Sequence, residues 1–393
     1  MKITQFTVHN FKSFSTQDNR VNTLSNINMI YGENNSGKSN ILKFLNLIFS
    51  QKNSQASGSI MVEGETEVID SQEEKNFYSG LIDGKPYIFH KNIHITEIVF
   101  EFVIKLTHSE INDSGYDYYD NLVEDYFSKT QSYCTLKFSG RIKSIDQKTT
   151  SEIILDNVKL NNKDIYSSEH SNNYFKDSKE LLGNRLAFQT LLGLLNNSVL
   201  FIDNNRYFIK EKQTKKNNKL SSVNYKNWMS HNYFDPFKYK RFQELLKFIR
   251  SSKVGKLKAL SELDLSFSIN GNELEIMLNN GSERLPIDSF GTGVSQLLYL
   301  LTQLFFTNSR IILIEELELN LSNKTQREFF KVLRELINKK VIDQVFFTTH
   351  SKAFNFRNDF SVYEVDISNN GVSSVKHMTN GPRKNFFVST LID

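Results

Sequence analysis

The sequence predicts an α/β protein in which a mixed, mostly parallel sheet carries helices, with an antiparallel β subdomain and an inserted helical subdomain. Three observations carry this expectation. From residue 294 to His350, helix-like and strand-like segments alternate, the order that builds a parallel sheet. Between 96 and 160, polar and apolar residues alternate along successive segments, as in an antiparallel sheet with one covered face. A lysine- and aromatic-rich stretch lies between these regions. The expected divisions are 1–200 for a first lobe with the β insertion, 201–260 for the basic helical subdomain and 261–393 for a second lobe.

Residues 3–8 ("ITQFTV") and 27–31 ("INMIY") read as strands, and the second runs into a glycine-containing turn. "KSNILKFLNLIF" (38–49) has apolar residues at 41, 42, 44, 45, 47, 48 and 49, the density of a buried helix. After a polar linker at 50–59, "TEIVFEFVIKL" (96–106), "CTLKFSGRIKSI" (134–145) and "SEIILDNVKL" (151–160) alternate as strands. An acidic, Tyr- and Ser-rich stretch at 108–132 reads as helix and loop. "SKELLGNRLAFQTLLGLLNN" (178–197) reads as helix, and "SVLFIDNNR" as a strand delivering Arg206. Next come a helix over 235–253 and a hairpin turning at Asn270-Gly271. A helix from 294, a strand at 311–315, a helix over 325–339, the strand "DQVFFTTH" and a closing hairpin at 361–378 complete the order. No fixed-period repeat or sustained heptad array is visible.

The chain has 393 residues, 39% hydrophobic and 23% charged, which is the composition of a soluble globular protein. No apolar run approaches the ~20 residues that span a bilayer, and the start lacks the greasy centre of a signal peptide. Cys134 is the sole cysteine, which excludes an intrachain disulfide and suits a reducing compartment. A cytoplasmic location without membrane attachment is therefore expected. The net charge of +4 is unevenly spread: Arg206 to Lys258 holds 15 Lys/Arg against Glu211, Asp235 and Glu244. Two readings stand, a solvated lysine-rich surface or a groove for a polyanion such as DNA, where clustered cations release counterions. Interleaved aromatics such as Tyr207, Trp228 and Tyr239 could stack on bases or simply pack the subdomain.

"GENNSGKS" (32–39) fits G-x-x-x-x-G-K-[ST] between a strand and a helix, the context a phosphate-binding loop requires. Gly32 and Gly37 permit a tight turn that aims backbone N–H groups at phosphate oxygens. Gly32, Asn34, Asn35, Ser36, Gly37, Lys38, Ser39 and Asn40 are the expected nucleotide contacts. Lys38 would pair with the β- and γ-phosphates of ATP, and Ser39 would hold Mg²⁺ through its hydroxyl.

"IILIEELELNLSN" (311–323) sets Glu315, Glu316 and Glu318 against the end of a greasy segment. Burying an unpaired carboxylate costs several kcal/mol, so a metal, a proton in transit or water must compensate. Beside the phosphate loop, Glu315 suits a magnesium site through bound water, and Glu316 suits a general base that polarises the attacking water. Glu318 is expected to point away, toward a facing subunit. The alternative is that these acids merely open the next helix, where its dipole favours negative charge. "FFTTHS" (346–351) ends a further strand at His350, which could donate to a γ-phosphate and report its presence. "SFGTGVSQLLYLL" (289–301) puts Phe290, Gly291, Thr292 and Gly293 at the mouth of a helix, a second anion site. One chain cannot easily wrap both anion sites around one nucleotide, whereas two chains head-to-tail can.

This set of motifs, in this order, resembles the ABC-type P-loop ATPase heads of the SMC/RecF/OLD group, and most nearly their AAA15/OLD-like branch in bacterial anti-phage systems. "MKITQFTVHNFKSF" is similar to the group's opening strand, "GENNSGKSN" to its Walker A motif, "IILIEELE" to its Walker B and "TTHS" to its switch-histidine motif. The resemblance is clear over roughly 1–50 and 285–355. It implies Glu315 as the Walker B acid, Glu316 as the catalytic glutamate, His350 as the switch histidine and Phe290 to Val294 at the signature "LSGGQ". Gly291 replaces the signature serine, removing its hydroxyl from the γ-phosphate, so either Thr292 or Ser289 substitutes or hydrolysis is slow. "EELELNLSN" also lacks the family's proline and histidines at 317, 320 and 322.

The stretch after His350 is too short for the Toprim domain that full-length OLD nucleases and the Gabija nuclease carry. The resemblance therefore implies a homodimeric or larger ATPase that regulates a separate effector, a nuclease or toxin, as in PARIS-, Septu- or AbiL-like pairs. A RecF-like clamp closing on DNA through 206–258 is the alternative. A nucleotide-dependent scaffold that hardly hydrolyses ATP is a third reading.

Overall fold

The structure, a computed structural model, describes residues 1–15, 19–49, 97–107, 133–144, 151–167, 195, 198–204, 234–251, 264–270, 273–280, 283–307, 309–351 and 360–378. The linker at 50–59, the stretch at 108–132, Arg206 and most of the helix expected over 178–197 lie outside the described residues.

Five strands share one direction and form the centre of the molecule. They are β3 (Ile27–Tyr31), β8 (Val199–Ile202), β12 (Ile311–Ile314), β13 (Gln344–Thr349) and β14 (Ser361–Ile367), joined at the edge by antiparallel β15 (Ser373–His377). The order is β15-β14-β3-β13-β12-β8. All four residues of β12 and all six of β13 are buried, because both faces of the sheet are covered. Successive side chains alternate between faces. Ile311, Leu313 and Phe346 enter one core with Ile41, Leu42, Phe44 and Leu45 of helix α1 (Lys38–Phe49). Ile312, Ile314, Val345 and Phe347 enter the opposite core with three further helices. These are α2 (Pro236–Ser251), α3 (Thr292–Phe306) and α4 (Asn323–Asn338). Helix α4 starts at the Ser322 cap, whose side chain accepts from the Thr325 N–H at 3.2 Å.

A second sheet, in the order β2-β1-β4-β5-β6-β7, is wholly antiparallel. Its strands are β1 (Lys2–His9), β2 (Arg20–Val21), β4 (Glu97–Thr107), β5 (Tyr133–Ser144), β6 (Ser151–Leu160) and β7 (Lys163–Ser167). Strand β7 was not anticipated. The alternation in β4 buries Ile98, Phe100, Phe102, Ile104 and Leu106 and leaves the other face to solvent. That outer face carries ion pairs, Lys137–Glu101 at 2.8 Å and Arg141–Asp156 at 2.7 Å. Underneath, Phe102 stacks on Phe44 of α1 at 5.7 Å and on Phe138 at 5.2 Å, tying the sheet to the phosphate-loop helix.

The two sheets are stitched by a side chain. The Gln344 amide accepts from the Ile3 N–H at 2.9 Å and donates to the Ile3 carbonyl at 2.8 Å, as a neighbouring strand would. A third, three-stranded sheet has β9 (Asp264–Asn270), β10 (Glu273–Asn280) and β11 (Glu283–Pro286) in antiparallel order, one strand more than the expected hairpin. Its last strand leads through a 3₁₀ turn, Ile287–Ser289, into α3. That helix begins at Thr292, two residues before the position expected from its apolar spacing.

Candidate functional site

Strand β3 is an interior strand of the parallel sheet, between β14 and β13, and the chain leaves its C-terminal end into the loop 32–37 before entering α1. Functional loops gather at this edge in open α/β sheets. Two glycines make the loop possible. A Cβ on Gly32 would stand 2.3 Å from the Val365 carbonyl oxygen. At Gly37, φ is +103°, and a Cβ would meet the hydroxyls of Ser373 at 2.4 Å and Ser13 at 2.6 Å. Those serines brace the loop from behind: Ser373 Oγ donates to the Ser36 carbonyl at 2.5 Å, and Asn40 Nδ2 donates to Ser13 Oγ at 2.9 Å. Spacing gave no sign of either brace, because both serines come from distant segments.

Lys38 is 7% exposed, and its ammonium donates to the carbonyls of Gly32, at 2.7 Å, and Glu33. Burial pushes its pKa down, and the carboxylates of Glu318, Glu316 and Glu33 push it back up. Ser36 Oγ is buried without a hydrogen-bond partner among the described residues. A cradle of backbone turned by glycine, an orphaned buried hydroxyl and a recessed ammonium fit the phosphates of a nucleotide. Asn34 and Asn35 are exposed on the rim, and Ser39 is half-buried in the first turn of α1.

The acids lie at the end of β12, two strands from β3. Glu315 is 4% exposed, and its backbone N–H still belongs to the sheet, donating to the Ile202 carbonyl at 2.9 Å. Its carboxylate stands 3.5 Å from Lys43 Nζ of α1, a half-exposed cation. A carboxylate with a nearby hydroxyl-bearing helix turn is the hard-oxygen donor set that magnesium takes. Among the described residues no group of three or more His, Cys, Asp or Glu could hold a metal. Any magnesium here would share its coordination with phosphates and water.

Glu316 has φ of +47°, in the left-handed region, which costs a non-glycine residue of order 1 kcal/mol. Thr348 holds it there: the Glu316 N–H donates to Thr348 Oγ1 at 2.8 Å, and the Leu317 N–H donates to the Thr348 carbonyl at 3.1 Å. Thr348 is fully buried and was missed in the sequence, although its hydroxyl is visible in "FFTTHS".

Glu318 overturns an expectation. It does not point away from the fold. It is 7% exposed, and its Oε1 accepts the His350 backbone N–H at 2.7 Å and stands 2.8 Å from His350 Nδ1, an ion-pair contact. The turn after Glu316 reverses the chain, with the Leu319 N–H donating to the Glu316 carbonyl, so the third acid swings back under the sheet edge. His350 itself stands one residue past β13, with its ring 53% exposed.

Phe290, Gly291, Thr292 and Gly293 open α3. Gly291 is the exposed N-cap, and among the described residues no side chain caps the helix and nothing lies within 4 Å of the place a Cβ would take. The first-turn N–H groups thus have no side-chain cap among the described residues, and Gly291 and Thr292 are exposed. Gly293 has a packing reason: a Cβ there would press on the Asn320 carbonyl oxygen at 2.8 Å, in the loop that follows the acids. The helix end thus sits at the same edge of the sheet as the phosphate loop. The bodies of α1 and α3 lie on opposite faces.

The family described as "AAA ATPase domain" matches residues 1–354. The chain belongs to this family. An ATP/GTP phosphatase of Helicobacter pylori is 32% identical to it over 92 residues, 23% of this chain and 25% of that protein. An uncharacterised protein of Methanocaldococcus jannaschii is 27% identical over 131 residues, 32% of this chain and 15% of its own length. The AAA ATPase domain chain thus spans a quarter or less of these two relatives. Among solved structures, an Smc head bound to the C-terminal winged-helix domain of ScpA is 13% identical, with TM-score 0.48 over 98% of this chain and 100% of that chain. The SMC head domain of Thermotoga maritima is 14% identical, with TM-score 0.43 over 97% of this chain and 100% of that chain.

In this AAA-family protein, the sheet edge thus gathers Lys38, Ser39, Glu315, Glu316 and His350 at the ends of three neighbouring strands. Among the described residues, no helix is long and apolar enough to cross a membrane.

Proposed function

We propose that the protein hydrolyses ATP as a dimer, with each triphosphate held between the phosphate loop of one copy and the open N-terminus of α3 from the other. The observation that carries this reading is the placement of the two helix mouths at one sheet edge, with their bodies on opposite faces. One copy leaves the α3 N–H groups without a side-chain cap among the described residues, and a second copy turned head-to-tail brings them to the phosphates.

In this reading Lys38 leaves the carbonyls of Gly32 and Glu33 for the β- and γ-phosphates, and Ser36 Oγ gains a partner in a phosphate oxygen. Ser39 and Glu315 hold Mg²⁺, which when bound offsets the negative charge that builds on the phosphates. Glu316, fixed by Thr348, accepts a proton from the attacking water. His350 donates to the γ-phosphate. Phe290 and Gly291 to Gly293 close the cage from the partner copy. ATP turnover and oligomeric state test the reading together. Lys38→Ala should lose nucleotide binding. Glu316→Gln should bind ATP, accumulate as the ATP-bound dimer and turn over at least ~100-fold more slowly. Equal turnover in wild type and Glu316→Gln would remove the role of that residue.

The biological reading follows the AAA15/OLD-like resemblance. We propose a sensor or regulatory subunit of an anti-phage system that controls a separate nuclease or toxin through ATP-dependent dimerisation in the cytoplasm. A neighbouring effector gene or a copurifying effector supports it, whereas protection by this chain alone opposes it. The cation-rich segment 206–258 favours a second reading, a RecF-like DNA clamp. Neutralising Lys215, Lys216, Lys238 and Lys240 should then abolish any DNA stimulation of turnover, and turnover indifferent to DNA would dismiss the clamp.

A further inference from the structure

We propose that Glu318 is a positioning residue that fixes the tautomer and direction of the His350 ring. An ionised carboxylate only accepts hydrogen bonds. Glu318 Oε1 stands 2.8 Å from His350 Nδ1, a distance at which two lone pairs would repel, so the contact favours a proton on Nδ1. The same oxygen accepts the His350 backbone N–H at 2.7 Å, so one atom holds the backbone and lies against the Nδ1 edge of the ring. With Nδ1 committed, Nε2 is the ring nitrogen left for any other partner, and the ring is 53% exposed while Glu318 is 7% exposed.

Three observations make this more than a surface pair. Glu318 is buried, where a contact between charged and polar groups is screened little. It arrives by a turn that starts at Glu316, so the residue proposed as general base and the clamp on the histidine belong to one rigid loop. Its charge is also felt at Lys38, where it is the strongest influence opposing the effect of burial. One carboxylate thus faces both the phosphate-loop lysine and the strand-end histidine. Metal-bound histidines are commonly held this way through their other nitrogen, and loss of the holding group there typically costs 10- to 100-fold.

The catalytic part of this inference rests on the role proposed above for His350, whereas the tautomer part does not. The test uses the full chain, uniformly labelled with ¹⁵N-histidine, and assigns His350 by comparison with His350→Gln. In wild type, Nδ1 should carry the proton at pH above the ring's titration. Glu318→Met, of similar length and without an acceptor, should move the proton to Nε2. Glu318→Gln keeps a carbonyl acceptor and should keep the wild-type tautomer. In turnover, Glu318→Met should lower kcat roughly 10-fold with KM for ATP changed less than about twofold, and it should add nothing to His350→Gln.

An unchanged His350 tautomer in folded Glu318→Met overturns the proposal, as does an undiminished effect of Glu318→Met in the His350→Gln background. A shifted tautomer with full activity in His350→Gln upholds the positioning and removes the histidine's role in hydrolysis. Should Glu318→Met fail to fold, Glu318→Ser, read in the same way, takes its place.

Discussion

Glu316 and Gly37 both occupy left-handed backbone, for different reasons. At Gly37 neighbouring hydroxyls fill the space where a side chain would go, so Gly37→Ala must strain the turn and displace Ser13 or Ser373. A cost of about 1–3 kcal/mol is expected, seen as a lowered melting temperature together with lost ATP affinity in calorimetry. At Glu316 the strain is held by Thr348. Thr348→Val keeps the shape and removes the acceptor, so it should depress kcat while the chain still binds ATP. At this scale the sequence was informative where chemistry depends on local spacing: Gly32, Gly37, Lys38 and Ser39 stand together because eight consecutive residues build the loop. It was misleading at Glu318. Side-chain direction there depends on a turn and on a histidine 32 positions away, and neither can be read from alternation along "IEELE".

Among the elements, α1 is held by rings as much as by its sheet. Phe44 and Phe49 meet Phe102, which also stacks on Phe6 and Phe138. Phe102→Ala should cost about 3–5 kcal/mol, measured by denaturant unfolding, and should loosen the helix that carries Lys38. Cys134 on β5 offers an independent probe of the same sheet. It is buried, and burial pushes its thiol up to about 12. Alkylation needs the thiolate, so the folded protein at pH 8 should resist iodoacetamide and the unfolded chain should take one adduct, read by intact mass.

The strands and helices themselves were largely visible in the sequence, because covered faces impose a period of 2 or 3.6. Strands β7 and β11 were missed for a physical reason. Each is short and lies at a sheet edge, where burial imposes less pattern. The start of α3 was placed late because Thr292 and Gly293 contribute no apolar residue to its stripe.

Over the whole molecule, segments far apart in sequence meet in one sheet, with β3 flanked by β13 and β14 from the far end of the chain. Alternation of strands and helices made the parallel sheet legible, but strand order was not, since nothing in "INMIY" names its neighbours. Thr292→Arg, at the exposed mouth of α3, should leave the fold and the binding of ATP to the phosphate loop of a single copy intact. It should hold Glu316→Gln monomeric in light scattering, because the bulk falls where the partner copy would dock. Dimers that persist in that double variant would require another interface.

The separation of α1 and α3 by the thickness of a sheet has a genetic consequence. A chain crippled at Lys38 still lends a sound helix mouth, and one crippled at Thr292 still owns a sound phosphate loop. Co-expressed in equal amounts, two inert proteins should regain part of normal turnover, at most half, since a mixed pair carries one working pocket of two and only one obstructed helix mouth. Defects of the same class should never rescue one another.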